Sequence, residues 1–503
     1  MEQFLRQLQT IPEAAELIRR VEEGGCPAAV SGLQPVQRAC VGAAVAAACG
    51  RPAVFLCGDE REVQVLSADL ETLTGRRPVT LLGREWQFRP GAVGSRDWER
   101  SRLAALYALA QGDAPVVVAT ADGLMARTLP PETLRSLAIT LEVGGQAELG
   151  ALAEQLLSAG YTRCEQVEGV GQFALRGGIL DVFSPLMDQP VRCEFFDDEI
   201  DSMGAFDPGT QRRTRNVSSA RILPAAEVLP HCAPGGLPGL ADQLTALAEK
   251  LAKKQKTEAI VQTLREDAER LRSGAAPGAA DRYLAAIYPT VTAGVHYLPP
   301  DAVVFLSESG RVDERVKNTV LQQKQDVEAL LSAGVLAGEY LTLTAEELYA
   351  ALEDFPVILE DSLPTSRHPL RPRGLLTMNA KQLSSYGGSL ETAVTDLEHY
   401  RSSGSAVLVL CGGETRAKNL HRLLEEEGIP ATLDLSGAAM PAAGEVRLSL
   451  GALSAGSEWP ALKLAVLTEG QLTAPAMRKR QRVKKDSNRQ KLQSYTDLSP
   501  GDL

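Results

Sequence analysis

Residues 171–213 read GQFALRGGILDVFSPLMDQPVRCEFFDDEIDSMGAFDPGTQRR, and their two-residue periodicity decides how this part of the chain folds. Gln172–Arg176 and Val191–Phe196 are strand-like runs on either side of a loop carrying Gly177, Gly178 and Pro185. Side chains alternate along a strand, so Phe173 and Leu175 face one way and Gln172, Ala174 and Arg176 the other. In the second run Val191, Cys193 and Phe195 form an apolar face, opposite Arg192, Glu194 and Phe196. Once the two apolar faces meet in one core, Arg176, Arg192 and Phe196 share the outer surface. An aromatic side chain beside arginines is the composition of a protein-binding hot spot.

On the N-terminal side of this stretch, Leu149, Leu152, Leu156 and Leu157 fall on one helical stripe, with Gly160 and Tyr161 as its exit. The whole segment reads as a compact mixed α/β module. Its Asp197, Asp198, Glu199 and Asp201 do not make a metal site, because strand alternation divides them between two faces while a hard cation needs them to converge. They read as a hairpin turn with a charged flank.

Further upstream, apolar runs at 28–33, 53–57, 79–82 and 115–120 alternate with helical patterns at 36–48, 63–74 and 97–111. That order predicts a parallel sheet with helical crossovers. The loop after the first strand stands where such folds carry a phosphate cradle, G-x-x-x-x-G-K-[ST]. Counting from Gly32, Gln37, Arg38 and Ala39 stand in place of the second glycine, the lysine and the hydroxyl. No lysine reaches a phosphate and no hydroxyl reaches magnesium, so this region is expected to bind no nucleotide. Downstream, Leu240, Leu244, Leu247 and Leu251, then Ile260, Leu264 and Leu271, have helix-face spacing broken near 253–257. Packing on the same chain suits so short a repeat better than a coiled coil. Strands at 302–307 and 356–360, with a helix at 315–333 between them, complete the first sheet, and 361–373 (DSLPTSRHPLRPR) reads as a linker. A small α/β domain follows, with helices at 390–401 and 414–427 and strands at 406–411 and 463–468. Its Gly412-Gly413 is half of a dinucleotide fingerprint, and Glu414 starts the helix where a phosphate would sit, so no nucleotide is expected there either.

With 503 residues, 44% hydrophobic and 23% charged, the chain has room for several cores. Its formal net charge of -12 argues against a general nucleic-acid coat, which needs clustered Lys and Arg. Eight cysteines lie far apart without zinc-like spacing to the five histidines, and no run of about 18 uncharged apolar residues occurs. A cytoplasmic protein that does not enter membranes is the expectation. The exception to the acidic balance is 477–491 (MRKRQRVKKDSNRQK), with eight Lys or Arg against one Asp.

The stretch from Phe173 to Phe183 (FALRGGILDVF), with Arg192 to Ser202 (RCEFFDDEIDS) and Phe206 to Arg212 (FDPGTQR), resembles the UvrB-homology module of UvrB and the bacterial transcription-repair coupling factors. The coupling factors are the better match. UvrB carries a P-loop and a long tyrosine-rich hairpin, whereas 83–95 (GREWQFRPGAVGS) is a short polar loop, and Trp98-Glu99-Arg100-Ser101-Arg102-Leu103 resembles the coupling factors' next helix. The resemblance implies an α/β multidomain chain. A motor-like parallel domain without a P-loop would span 1–130 and 221–360, with the UvrA-binding module inserted at 131–220. A linker at 361–375, a small α/β domain at 376–473 and a basic linker at 474–503 would follow. Pro500-Gly501-Asp502 resembles the first turn of the family's RNA-polymerase-interacting domain, so an N-terminal fragment is expected. By the same resemblance Arg176, Arg192 and Phe196 contact UvrA, the fragment has no cofactor, ATP and magnesium belong to an ATP-dependent DNA translocase motor further along, and RNA polymerase and DNA are met through those C-terminal parts. A truncated UvrB and a nucleotide hydrolase are the alternatives; the degenerate loop counts against both, and the missing hairpin against the first.

Overall fold

Seven strands run parallel in one sheet, in the order Gly374–Thr377, Ala28–Ser31, Val357–Asp361, Val303–Ser307, Ala53–Cys57, Val116–Thr120, Val79–Leu81. The computed structural model describes residues 1–89, 97–253, 258–335, 341–387, 389–437 and 439–472. The basic stretch 477–491, the Pro500-Gly501-Asp502 turn and part of the loop 83–95 lie outside them. The central strands are buried along their whole length because both faces of the sheet are covered, apolar except at C-terminal ends such as Glu360 and Asp361. Val54, Leu56, Val117, Val304, Leu306 and Leu359 point into one core, and Ala53, Phe55, Val116, Val118, Phe305 and Ile358 into another. Phe55 and Phe305 stack across neighbouring strands with centroids 4.8 Å apart. Gly42, in the helix Pro35–Cys49, lets that helix lie on them, since a Cβ there would come within 2.5 Å of the Phe55 ring.

The first core is closed by the helices Gly236–Lys253 and Glu258–Arg272. They pack as an antiparallel pair, Arg272 of the second donating to Thr245 of the first at 2.8 Å. Leu240, Leu244, Leu264 and Leu271 are buried in this chain's own core and Leu247 and Leu251 pack half-buried against it, as the short repeat requires. The helix Ser309–Ser332 starts earlier than its apolar pattern suggests. The carboxylate of Asp361 accepts from the Ser309 backbone at 2.9 Å, a cap supplied from another strand.

The inserted module is a six-stranded sheet in the order Arg213–Asn216, Glu199–Phe206, Val191–Phe196, Ile179–Val182, Gln172–Arg176, Thr162–Arg163. All pairs are antiparallel except the last. Ile139–Glu142 pairs with Ser219–Ile222, which brings the entry and exit of the module together. Phe173, Leu180, Val191, Cys193, Ile200 and Met203 pack under the helix Leu149–Ser158.

The remaining sheet has the order Lys381–Leu383, Gly456–Trp459, Leu464–Thr468, Ala406–Cys411, Val446–Leu450, Ala431–Asp434. One face carries the helices Leu390–Ser402 and Glu414–Glu426. The other face, through Leu408, Leu410, Trp459, Leu464 and Val466, belongs to the second core of the seven-stranded sheet. Trp459 meets Phe4 of the helix Glu2–Leu8 edge-on at 6.5 Å. At the rim Asp69 accepts from the Ser454 backbone and hydroxyl, both at 2.6 Å, and burial pushes its carboxyl up to about 6. The expected linker is only partly a linker: Asp361 still belongs to a strand, and Gly374–Thr377 forms the edge of the first sheet. The second α/β unit is thus welded to the first rather than tethered. Trp459→Ala should cost about 3–5 kcal/mol, the range for a fully buried aromatic, and the two sheets it joins should melt in one calorimetric transition. Two separated transitions, with only one of them shifted, would contradict the shared core.

Candidate protein-binding face

The RGG turn shapes one end of the module. Arg176 pairs with Ile179 across a two-residue loop, and Gly177 takes a φ of 59°, which side-chain-bearing residues rarely adopt. Gly178 is needed for a different reason, because a Cβ there would lie 2.9 Å from the Phe195 carbonyl. The neighbouring hairpin turns at Asp197 and Asp198, with Asp197 at φ 51° and Phe196 paired to Glu199. Both turns lie at the same end of the sheet.

Register sets the face. Ala174, Asp181, Arg192 and Gly204 stand in one row, and Arg176, Ile179, Glu194 and Ser202 in the next. Phe196 projects beyond them and is 76% exposed. Arg176, Arg192 and Phe196 therefore lie on one side of the sheet, as alternation predicts. That side is not outer throughout, however. Ala174 is buried with Val167, Phe183 and Phe206 in a small second core, because the residues around 164–170 fold back over the lower half of the face. Arg192 lies at the edge of this core, its guanidinium 4.6 Å from the Phe206 ring centroid and its side chain 22% exposed, against 50% for Arg176.

The residue that joins them is Asp181. Its carboxylate is fully buried and accepts from Arg192 Nε at 2.7 Å, Arg192 Nη2 at 2.8 Å and Arg176 Nη2 at 2.7 Å. Glu194 on the next row accepts from the Ser202 hydroxyl at 2.8 Å. Asp181 is not singled out by the strand pattern as a site residue, although its parity on the strand places it with the arginines. The arrangement offers a flat aromatic and a fixed guanidinium pair above a solvent-free carboxylate, suited to an apolar and anionic protein surface.

The place of a phosphate cradle on the parallel sheet is filled differently. Gly32 has a φ of 92°, and a Cβ there would stand 2.3 Å from the Met378 carbonyl, so the chain's own return segment lies over the loop. Gln37 turns back to accept from the Gln34 backbone at 2.9 Å. Arg38 points inward and is 2% exposed. It donates to Ser307 at 2.8 Å, Glu308 at 2.6 Å and Glu62 at 3.1 Å. Ala39 is buried against the sheet. Nearby, burial pushes the Glu360 carboxyl far above the carboxylate range, with Arg38 opposing. Among the described residues no group of three His, Cys, Asp or Glu side chains is placed to hold a metal ion, and no helix is long and apolar enough to cross a membrane. Arg38→Ala would strand Glu62 and Glu308 without their shared partner. Denaturant unfolding should record a loss of about 3 kcal/mol or more; an unchanged midpoint would remove Arg38 as a strut.

Comparison with known proteins follows the same division. Residues 139–227 match the family of the UvrB interaction domain. The chain is 27% identical over 490 residues to the transcription-repair-coupling factor of Bacillus subtilis, covering 97% of this chain and 42% of that protein. It is 27% identical over 412 residues to the Staphylococcus aureus (strain USA300) factor and 28% identical over 418 to that of Staphylococcus haemolyticus, each time covering 80% of this chain and 34% of the relative. The chain thus spans less than half the length of these relatives.

Proposed function

We propose that this chain, homologous to the N-terminal part of transcription-repair coupling factors and carrying a UvrB interaction domain, docks UvrA through the face of Arg176, Arg192 and Phe196. The observation that carries this reading is Phe196, standing exposed at the hairpin tip beside two arginines anchored on one buried carboxylate. A large apolar side chain is kept in water there although the same strand buries Val191 and Cys193. In this reading the longer protein brings UvrA to stalled RNA polymerase, and the DNA translocase motor, with its ATP and magnesium, lies in a part of the coupling factor that this chain does not match.

UvrA binding by Arg176→Ala and by Phe196→Ala, followed by calorimetry or surface plasmon resonance, should weaken more than about tenfold each, the size expected on truncating interfacial anchors. Both variants should keep the parent's thermal transition, since neither side chain is buried. Undiminished affinity in both would remove this face from the interface.

The hydrolase reading is disfavoured by Arg38, which occupies the lysine position with its guanidinium committed to Glu62 and Glu308. Titration of the chain with ATP and magnesium should give no saturable signal and no turnover. DNA-stimulated hydrolysis that disappears on altering residues 32–39 would overturn the assignment.

A further inference from the structure

The geometry points to Asp181 as the positioning residue of this face: it does not meet the partner but holds both guanidiniums in the geometry the partner reads. The inference rests on the UvrA-docking reading above. Asp181 has no exposed surface, so no partner atom reaches its carboxylate without displacing an arginine. Its Oδ1 takes Arg192 Nε, and its Oδ2 takes Arg192 Nη2 and Arg176 Nη2. Arg192 is therefore held by a fork of two parallel bonds on one side and by the Phe206 ring on another. Arg176, on the neighbouring strand, gives Asp181 a single nitrogen, leaving the rest of its half-exposed fork available to a partner.

Arginine side chains are long, and fixing two of them at the moment of binding subtracts from affinity. Fixing them beforehand on a carboxylate removes that loss. Asp181 offsets one of the two guanidinium charges, and Glu194 on the next row stands against the other. Charge alone and geometry alone then predict opposite outcomes for Asp181→Asn. The amide makes the face more positive, which strengthens attraction to an anionic partner. It also breaks the shared anchor, which weakens binding through lost order. The fold has reason to tolerate the change, because both guanidiniums reach solvent once released and the ring beneath Arg192 stays in place.

The test has three arms on the full chain. In free protein, side-chain NMR of the Arg192 Nε–H should show a slowly exchanging resonance that broadens or shifts to the exposed-arginine position in D181N. UvrA affinity should fall more than about tenfold in D181N while its thermal transition stays near that of the parent. In a chain already carrying Arg176→Ala and Arg192→Ala, adding D181N should cause no further loss. Unchanged or tighter binding by D181N overturns the proposal. So does a full additional loss in the double-alanine background, or recovery of parental affinity when an unstable D181N is measured in the cold, since each makes Asp181 a contact or a fold residue instead. If the parent itself shows no UvrA binding while the NMR behaves as expected, the docking reading fails and the anchoring of the arginines by Asp181 stands.

Discussion

A sheet whose strands are all parallel has no face it can leave to water, because its strands are apolar on both sides. Much of this molecule follows from that constraint. One face is covered by helices that include Asp97–Gln111 and Ser309–Ser332, and the antiparallel helix pair 236–253 and 258–272 joins the same core. The other is covered by the helices Glu2–Leu8, Pro12–Glu23, Pro35–Cys49 and Glu60–Thr74, whose outer side is sealed in turn by the second α/β sheet through Trp459 and Leu464. The inserted module escapes the constraint, since its antiparallel sheet needs only one fully covered face. Part of the other face, with Arg176 and Phe196, is thereby left exposed.

Guanidinium–carboxylate chemistry serves opposite ends in the two places. At Arg38 the cation is turned into the protein and the acids converge on it, so that strand ends, a helix start and the loop after the first strand are held together. At Asp181 the acid is turned into the protein and the cations lean outward from it. The first arrangement withdraws a guanidinium from solvent and the second holds guanidiniums toward it. Which partner of the pair is buried decides the outcome.

Much of this was legible in the residues. The strand Ala53–Cys57 and the helix Asp97–Gln111 have the expected bounds, because a continuous apolar run and a long helical repeat fix them locally. The side of the sheet taken by Arg176, Arg192 and Phe196 followed from a period of two. Other features depend on partners far away in the chain. Arg38 read only as a missing lysine, since Glu308, which it holds, is 270 residues distant. Gly374–Thr377 read as part of a linker and its exit because an edge strand buries little and carries a weak pattern. Lys381–Leu383, Ala431–Asp434, Val446–Leu450 and Gly456–Trp459 carry a weak pattern as well; they are short and mixed in composition, and their burial is decided by the strands beside them. The second small core was hidden because Val167 and Phe206 come together only when the 164–170 segment folds back.

The central claim is that the module meets its partner on the upper half of one sheet face, with the rest of the chain as rigid support. Hydrogen exchange of the chain with and without UvrA tests it most directly. The account predicts new protection across Gln172–Arg176, the RGG turn, Val191–Phe196 and the turn that follows, with the Arg38 loop and the second α/β sheet unchanged. Protection centred on residues 32–39 or on the 406–468 region, with the hairpin tip at Phe196 exchanging as before, would contradict it.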